Sequence, residues 1–231
     1  MKELEKDKIR IIVVDDHPFV RYGITQLVNA EPDLRVCCGV DDYQHAIANI
    51  ERMRPDFAII DLSLKDINGI ELIKKIKKIL PSLPILVLSM HDESHYAERA
   101  IRAGANGYVM KKEGTETLIK AIRTILSGQV FVSPEMAAKL IAKKGAALQS
   151  RGETDILGCL SDRELEVFEL IGEGLKTKQV ADVFNLSIKT IETYQHNIKI
   201  KLNIANASEL LQKATLYIKS LNHKIVSGNS R

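Results

Sequence analysis

Between residues 9 and 127 the chain alternates five short apolar runs with five amphipathic segments, a pattern that few folds satisfy. The runs cover 9–14, 35–40, 56–61, 84–89 and 106–110, and all are rich in Ile, Val and Leu. The segments between them, 18–30, 43–53, 68–80, 93–103 and 114–127, carry helical spacing. In 68–80, Ile70, Ile73, Ile76, Ile79 and Leu80 form one stripe, while Lys74, Lys75, Lys77 and Lys78 face away as a solvated helix face does. Pro18 suits a first helical turn, and Gly104 and Gly128 follow periodic stretches as C-terminal caps do. Strands alternating with helices in this way predict one doubly wound, five-stranded parallel α/β domain.

Beyond Gly128 the alternation stops. Ser133-Pro134 opens a short helix to about Lys144, and residues 145–158 are richer in Gly, Ser, Gln and charge, as a linker is. From Leu160 onward the pattern is all helical. Ser161-Asp162-Arg163-Glu164 has the form of a capping box, and Leu165, Phe168, Leu170 and Ile171 carry the apolar face of a helix ended by Gly172 or Gly174. Further helices are expected over 177–184, from Ile188 to about Leu202, and from Ala207 to about Leu221. Two short helices joined at Asn185-Leu186-Ser187, the second polar and basic, make a helix-turn-helix. The expected class is therefore α/β plus all-α. Residues 1–131 form the first domain, 132–158 a linker with a short helix, 159–223 a four-helix domain, and 224–231 a tail.

A length of 231 residues suits two domains. The net charge of +3 is unevenly spread: residues 1–131 hold 19 basic against 19 acidic residues, and residues 187–231 hold 7 against 2. That local excess suits an anionic partner, although solvated surfaces carry such charge too. Cys37, Cys38 and Cys159 form neither a disulfide framework nor a metal-ligand spacing, and the adjacent pair reads as small strand residues. No apolar stretch reaches the roughly 20 residues of a membrane helix, and residues 1–8 lack the apolar centre of a signal peptide, so a cytoplasmic protein is expected.

Asp61 closes the run Phe57-Ala58-Ile59-Ile60, and Asp15-Asp16 follow the run that ends at Val14. Two β-α units fit in the gap, so the carboxyl sets can meet at the C-terminal edge of one sheet, where open α/β sheets bind ligands. Crowded carboxylates repel, which makes Mg²⁺ with open positions for phosphate oxygens their natural occupant. Taken singly, these residues have plain alternatives: Asp61 as a loop cap, Ser89 as a strand-end hydroxyl, Tyr108 as a packing aromatic, Lys111 as a surface lysine. His17, beside Pro18, reads as structural.

Taken together, the strings are specific. Asp15-Asp16-His17-Pro18, Asp61-Leu62-Ser63-Leu64, Asn68-Gly69, Ser89, Tyr108 and Lys111 stand in order within 9–128. That stretch resembles the receiver domain of two-component response regulators. Leu160-Ser161-Asp162-Arg163-Glu164, Lys178-Gln179-Val180-Ala181 and Ser187-Ile188-Lys189-Thr190-Ile191-Glu192-Thr193 give 160–221 a resemblance to the LuxR-type helix-turn-helix. The order and linker are those of the NarL/FixJ family.

The resemblance implies that Asp61 accepts a phosphoryl group from a sensor histidine kinase. Mg²⁺ would be held by Asp16, Asp61 and the backbone carbonyl of Ser63, with Asp15 acting through a water. Lys111 would contact the phosphoryl oxygens, Ser89 would donate its hydroxyl to one of them, and Tyr108 would turn inward as that shift opens space. The chain departs from the commonest family pattern at Lys65 and Asp66, where proline and glycine are frequent. Ser63 and Met90 stand where the family tunes phosphoryl lifetime.

By the same resemblance, Ile188–Leu202 would enter the major groove of double-stranded DNA, with Glu192, Thr193 and His196 facing bases. Lys189, Lys199 and Lys201 would contact phosphates, with Thr177, Lys178 and Thr190 as further contacts. Tyr194 replaces a frequent histidine, and Gln195-His196 a commoner basic or small pair. Leu210, Leu211, Ala214 and Ile218 form a stripe with core on one side and a homodimer seam on the other. The expectation is a transcriptional regulator, not an enzyme, that is unmasked by phosphorylation and binds DNA as a dimer. The rivals are a constitutive DNA-binding protein whose receiver only dimerises, and a Mg²⁺-dependent phosphatase. The complete acidic and switch set opposes the first, and Ser63, in place of a second acid two residues after Asp61, opposes the other.

Overall fold

The computed structural model of the chain describes residues 8–64, 67–145 and 159–228, so Lys65, Asp66, most of the 145–158 linker and residues 229–231 lie outside the described residues. The described chain falls into two compact units divided after residue 148.

The first unit is a parallel sheet in the order β2-β1-β3-β4-β5. Its strands are β1 Ile9–Val14, β2 Leu34–Val40, β3 Phe57–Ile60, β4 Ile85–Ser89 and β5 Gly107–Met110. Successive strand residues point to opposite faces. Ile11, Val13, Phe57, Ile59, Leu86, Leu88 and Val109 meet α1 (Pro18–Ala30) and α5 (Thr115–Leu126) through Ile24, Val28, Leu118, Ala121, Ile122 and Ile125. The remaining helices, α2 (Tyr43–Met53), α3 (Gly69–Ile79) and α4 (Glu93–Ala103), bury Ala46, Ile50, Ile70, Ile73, Ile76, Tyr96, Ala97 and Ala100. The expected runs and helices correspond to these elements within one or two residues at each end.

Three local features depart from the simple reading. Lys77 is half-buried rather than free: its Nζ donates to the Leu83 carbonyl at 2.7 Å, and its stem lies where a Cβ on Gly104 would project. Burial holds its ammonium below the ordinary lysine range. Cys37 occupies a β-bulge, since Ile11 pairs with Val36 and Ile12 with Cys38. Beyond α5, the Phe131 carbonyl accepts from the Tyr108 N–H at 2.8 Å and the Phe131 N–H donates to the Asn106 carbonyl at 3.0 Å, so a short segment pairs along the free edge of β5. The helix that follows, α6 (Pro134–Gly145), packs on α4 and buries Met136.

The second unit holds α7 (Asp162–Gly172), α8 (Thr177–Phe184), α9 (Ile188–Lys201) and α10 (Ala207–Gly228). The capping box is present: Ser161 Oγ accepts from the Glu164 N–H, and Glu164 Oε2 accepts from the Ser161 N–H at 2.7 Å. Leu165, Phe168, Val180, Phe184, Ile191, Ile198, Leu210 and Ala214 form the core. Of the expected stripe on the last helix, Leu210 and Ala214 are buried, Ile218 is half-buried and Leu211 is exposed. That helix runs on to Gly228, past the expected end near Leu221, because no breaker interrupts 222–227.

Gly172 does more than end a helix. A Cβ there would lie 2.5 Å from the Ala214 carbonyl oxygen and 2.7 Å from Ile218 Cγ1, so α7 and α10 approach closely only because this residue has no side chain. Gly172→Ala is expected to lower the unfolding free energy of this unit by about 1–3 kcal/mol through overpacking. Denaturant unfolding followed by helical circular dichroism measures it, and an unchanged midpoint would show that α10 moves aside freely.

Candidate functional site

β1 and β3 are neighbours in register Val14 to Ile60, so the residues just past their ends, Asp15 and Asp61, stand side by side. The sheet reverses its winding here, with β2 on one side of β1 and β3 on the other, which opens a crevice at the strand ends. Asp15 and Asp61 are each 1% exposed. Between them lies the ammonium of Lys111, which is positioned by β5: its backbone N–H donates to the Ser89 carbonyl at 2.7 Å. Its Nζ is 2.6 Å from Asp61 Oδ2 and 2.8 Å from Asp15 Oδ2. Asp15 Oδ1 also accepts from the His17 N–H at 2.8 Å.

Asp16 completes the acidic group, and ligand atoms of Asp15, Asp16, His17 and Asp61 all lie within 4.8 Å of one another. The His17 ring, read from the sequence as structural, places Nδ1 2.6 Å from Asp16 Oδ1. Burial pushes the Asp61 carboxyl above its ordinary pKa; Lys111 counters this and Asp15 adds to it. Burial works against the Lys111 charge, but Asp61 and Asp15 outweigh it and hold the ammonium above the usual lysine value. Three carboxylates and one lysine leave a net negative pocket suited to a divalent cation.

The loop after β3 is tied to this pocket. The Ser63 N–H donates to Asp61 Oδ1 at 3.2 Å, and Asn68 Oδ1 accepts from the Ile70 N–H at 2.7 Å to start α3. A Cβ on Gly69 would lie 2.4 Å from the Asp61 carbonyl oxygen, which gives the Asn68-Gly69 pair a steric reason.

Ser89 and Tyr108 lie beyond Asp61, at β4 and β5. Ser89 is fully buried, and its Oγ accepts from the His91 N–H at 3.1 Å. Tyr108 was expected to move inward upon a change at Ser89; in this structure it is already inward, 2% exposed, with its hydroxyl donating to the His91 carbonyl at 2.9 Å. Burial raises its phenol well above the ordinary tyrosine value. His91 is the residue that sequence reasoning missed. Its Nε2 is 3.0 Å from Ser63 Oγ, and its ring stacks on Tyr96 of α4 at 4.4 Å. A single histidine 28 residues from its partner leaves no periodic signal. Met90, beside it, is exposed.

In the second unit, Asn185 adopts the left-handed conformation (φ 52°, ψ 40°), which makes the tight turn between α8 and α9. Ser187 caps α9 by accepting from the Thr190 N–H at 3.1 Å. Ile191 and Ile198 face inward; Lys178, Lys189, Glu192, Thr193 and His196 are exposed, and Thr177, Thr190 and Lys199 are half-buried. Some candidate side chains already have partners. Thr177 Oγ1 accepts from Gln195 Nε2 at 3.2 Å, Thr190 Oγ1 is 2.8 Å from Ser187 Oγ, and Thr193 Oγ1 donates to the Lys189 carbonyl at 2.9 Å. Lys201 departs most from its expected phosphate role. Its Nζ is 2.6 Å from Oε2 of the buried Glu164, so it braces α9 against α7.

Fold and site together define a receiver unit joined to a helix-turn-helix unit, and comparison with known proteins agrees. Residues 11–123 match the response regulator receiver domain family, and residues 159–214 the luxR family of bacterial regulatory proteins. The oxygen regulatory protein NreC of Staphylococcus carnosus is 32% identical over 209 residues, 89% of this chain and 96% of that one. The uncharacterized transcriptional regulatory protein YxjL of Bacillus subtilis is 33% identical over 206 residues, 89% and 94% of the two chains. Among solved structures, the Salmonella typhimurium response regulator RcsB superimposes with a TM-score of 0.62 at 30% identity, over 90% of this chain and 98% of that one. RcsB bound to the promoter rprA with the phosphomimetic BeF3⁻ superimposes with a TM-score of 0.59 at 29% identity, over 90% and 98%. The chain belongs to the NarL/FixJ family of response regulators and is a phosphorylation-dependent, DNA-binding transcription regulator.

The raised pKa of Asp61 sets a stability prediction. A carboxyl whose folded pKa lies above its unfolded value of 3.8 favours the fold when neutral and opposes it when ionised. Asp61→Asn is therefore expected to raise the melting temperature at pH 7, with the gain fading as the pH falls below the folded pKa toward 3.8. Thermal unfolding at pH 7 and pH 4 tests it; equal gains at both would point to a cause other than charge.

Proposed function

We propose that Asp61 is the phosphoacceptor and that the observation carrying this reading is the Lys111 ammonium held between Asp61 and Asp15. An Asp61 carboxylate oxygen attacks phosphorus while the donor's bond to that phosphorus breaks. The product is an acyl phosphate on Asp61; the donor is a phosphohistidine of a sensor kinase or a small acyl phosphate, and the group released is the free histidine imidazole or the free carboxylate. Lys111 already contacts the attacking carboxylate and is placed to follow the charge onto the phosphoryl oxygens. Ser89 would donate its hydroxyl to one of those oxygens, and Tyr108 is held inward where that change is felt. The donor set suits Mg²⁺, with Asp16, Asp61 and the Ser63 carbonyl as ligands and Asp15 through a water. Bound there, the cation would neutralise charge developing on the transferred group.

The chain acts in stoichiometric transfer rather than turnover, in the cytoplasm, and as a homodimer when modified or bound to DNA. On DNA, α9 would lie in the major groove with Glu192, Thr193 and His196 toward base edges. Lys178, Lys189 and Lys199 would meet phosphates, supported by Thr177 and Thr190 near the backbone. Lys201 is left out because Glu164 takes its charge.

Intact mass after incubation with Mg²⁺ and a small acyl phosphate is expected to show one phosphoryl adduct on the wild type and none on Asp61→Asn. The variant should also lose the donor-dependent gain in affinity for a selected duplex. An adduct on the variant, or a duplex response that survives in it, would move the acceptor elsewhere. Lys189→Ala is expected to weaken binding to all sequences alike and to reduce the slope of log K against log salt by about 0.9. A change confined to one base position would instead make Lys189 a base-reading residue.

A further inference from the structure

Helix α6 does not hang free at the end of the first unit. Glu93, the first residue of α4 and itself buried, accepts through Oε1 from the Ser133 N–H at 2.8 Å, just before α6 begins. Lys139 Nζ donates to the Ser94 carbonyl at 2.9 Å, and Met136 is buried between these contacts. Ser133 Oγ then caps α6 by accepting from the Met136 N–H at 3.1 Å. The three contacts seat α6 on the first turn of α4.

That turn is reached directly from the phosphoacceptor pocket. Ser63 Oγ meets His91 Nε2 at 3.0 Å, and Ser89 Oγ accepts from the His91 N–H at 3.1 Å. The His91 ring stacks on Tyr96, one turn into α4, and Glu93 follows His91 by two residues. The other end of the route is also fixed. Tyr108 donates its hydroxyl to the His91 carbonyl and its backbone N–H to the Phe131 carbonyl, two residues before Ser133.

We infer that α6 is a phosphorylation-sensitive clamp, with His91 the positioning residue that couples it to Asp61; this rests on Asp61 being the phosphoacceptor. A phosphoryl group on Asp61 draws the Ser89 hydroxyl toward itself and crowds Ser63. His91 then loses two of the anchors that fix the loop ahead of α4. Glu93 moves with that loop, its bond to Ser133 weakens, and α6 loosens from α4. Because the chain beyond α6 leads to the helix-turn-helix, the clamp governs the segment from which that unit is tethered.

Amide hydrogen exchange of the full chain, followed at Ser133 and along 134–145, tests the clamp, with intact mass recording the adduct in the same samples. In the unmodified protein, Glu93→Ala and Lys139→Ala should each speed exchange in that segment at least threefold and leave β1 and β3 unchanged. In the wild type, adduct formation should speed it at least threefold, and in His91→Ala, compared at equal adduct occupancy, the modified and unmodified rates should coincide. An adduct with unaltered α6 exchange overturns the clamp and leaves the phosphoacceptor standing. A His91→Ala variant that responds like the wild type removes His91 from the route, and an unmodified Glu93→Ala variant with wild-type exchange removes Glu93. If the wild type takes no adduct, the phosphoacceptor reading fails and the clamp fails with it.

Discussion

The receiver unit depends on one ammonium placed between two buried carboxylates. Without Lys111, Asp15 and Asp61 would face each other across adjacent strands without the ammonium that now contacts both. A buried, unpaired charge is among the most costly features a fold can hold. Lys111 reaches both because its own backbone is locked to β4 by the bond to the Ser89 carbonyl. With Asp16 counted, three carboxylates against one ammonium still leave the pocket short of positive charge, a deficit that a divalent cation would fill so that an anionic phosphoryl group could be accommodated. Stability and function here draw on the same three side chains.

Much of this was legible in the sequence because it depends on period and order. Apolar runs and helical stripes located every strand of the sheet and most helix ends, and the runs ending at Val14 and Ile60 put Asp15 and Asp61 at one edge, while the place of Lys111 came from the family resemblance. The Ser161–Glu164 capping box and the Asn185 turn were readable for the same reason, since both are local. What escaped were contacts between residues distant in sequence. His91 beside Ser63, Lys201 on Glu164, and Gly172 beneath Ala214 depend on how elements cross, which no spacing encodes. The reach of Lys77 back to the Leu83 carbonyl is another case: its position in the lysine cluster looked fully solvated. Side chains long enough to bend over a neighbouring turn defeat simple face assignments.

Tyr108 illustrates a further limit. An inward tyrosine in the unmodified chain means that its burial alone does not distinguish two states; its partners do. A ligand shifts a two-state equilibrium only by its difference in affinity for the two states. With the ring already seated, a proposed modification of Asp61 would act on the hydrogen bonds around His91 rather than on creating room for the ring.

The short pairing of Phe131 along β5 also matters beyond the clamp. Parallel sheets expose two rows of unpaired backbone groups, and an open row invites strand addition from another molecule. One border is partly covered by Phe131, which bonds to Asn106 and Tyr108, and the other, β2, is interrupted by the bulge at Cys37. Among the described residues, neither border offers a long, regular template for a visiting strand. The sheet is thereby guarded at both borders against open-ended backbone zippering.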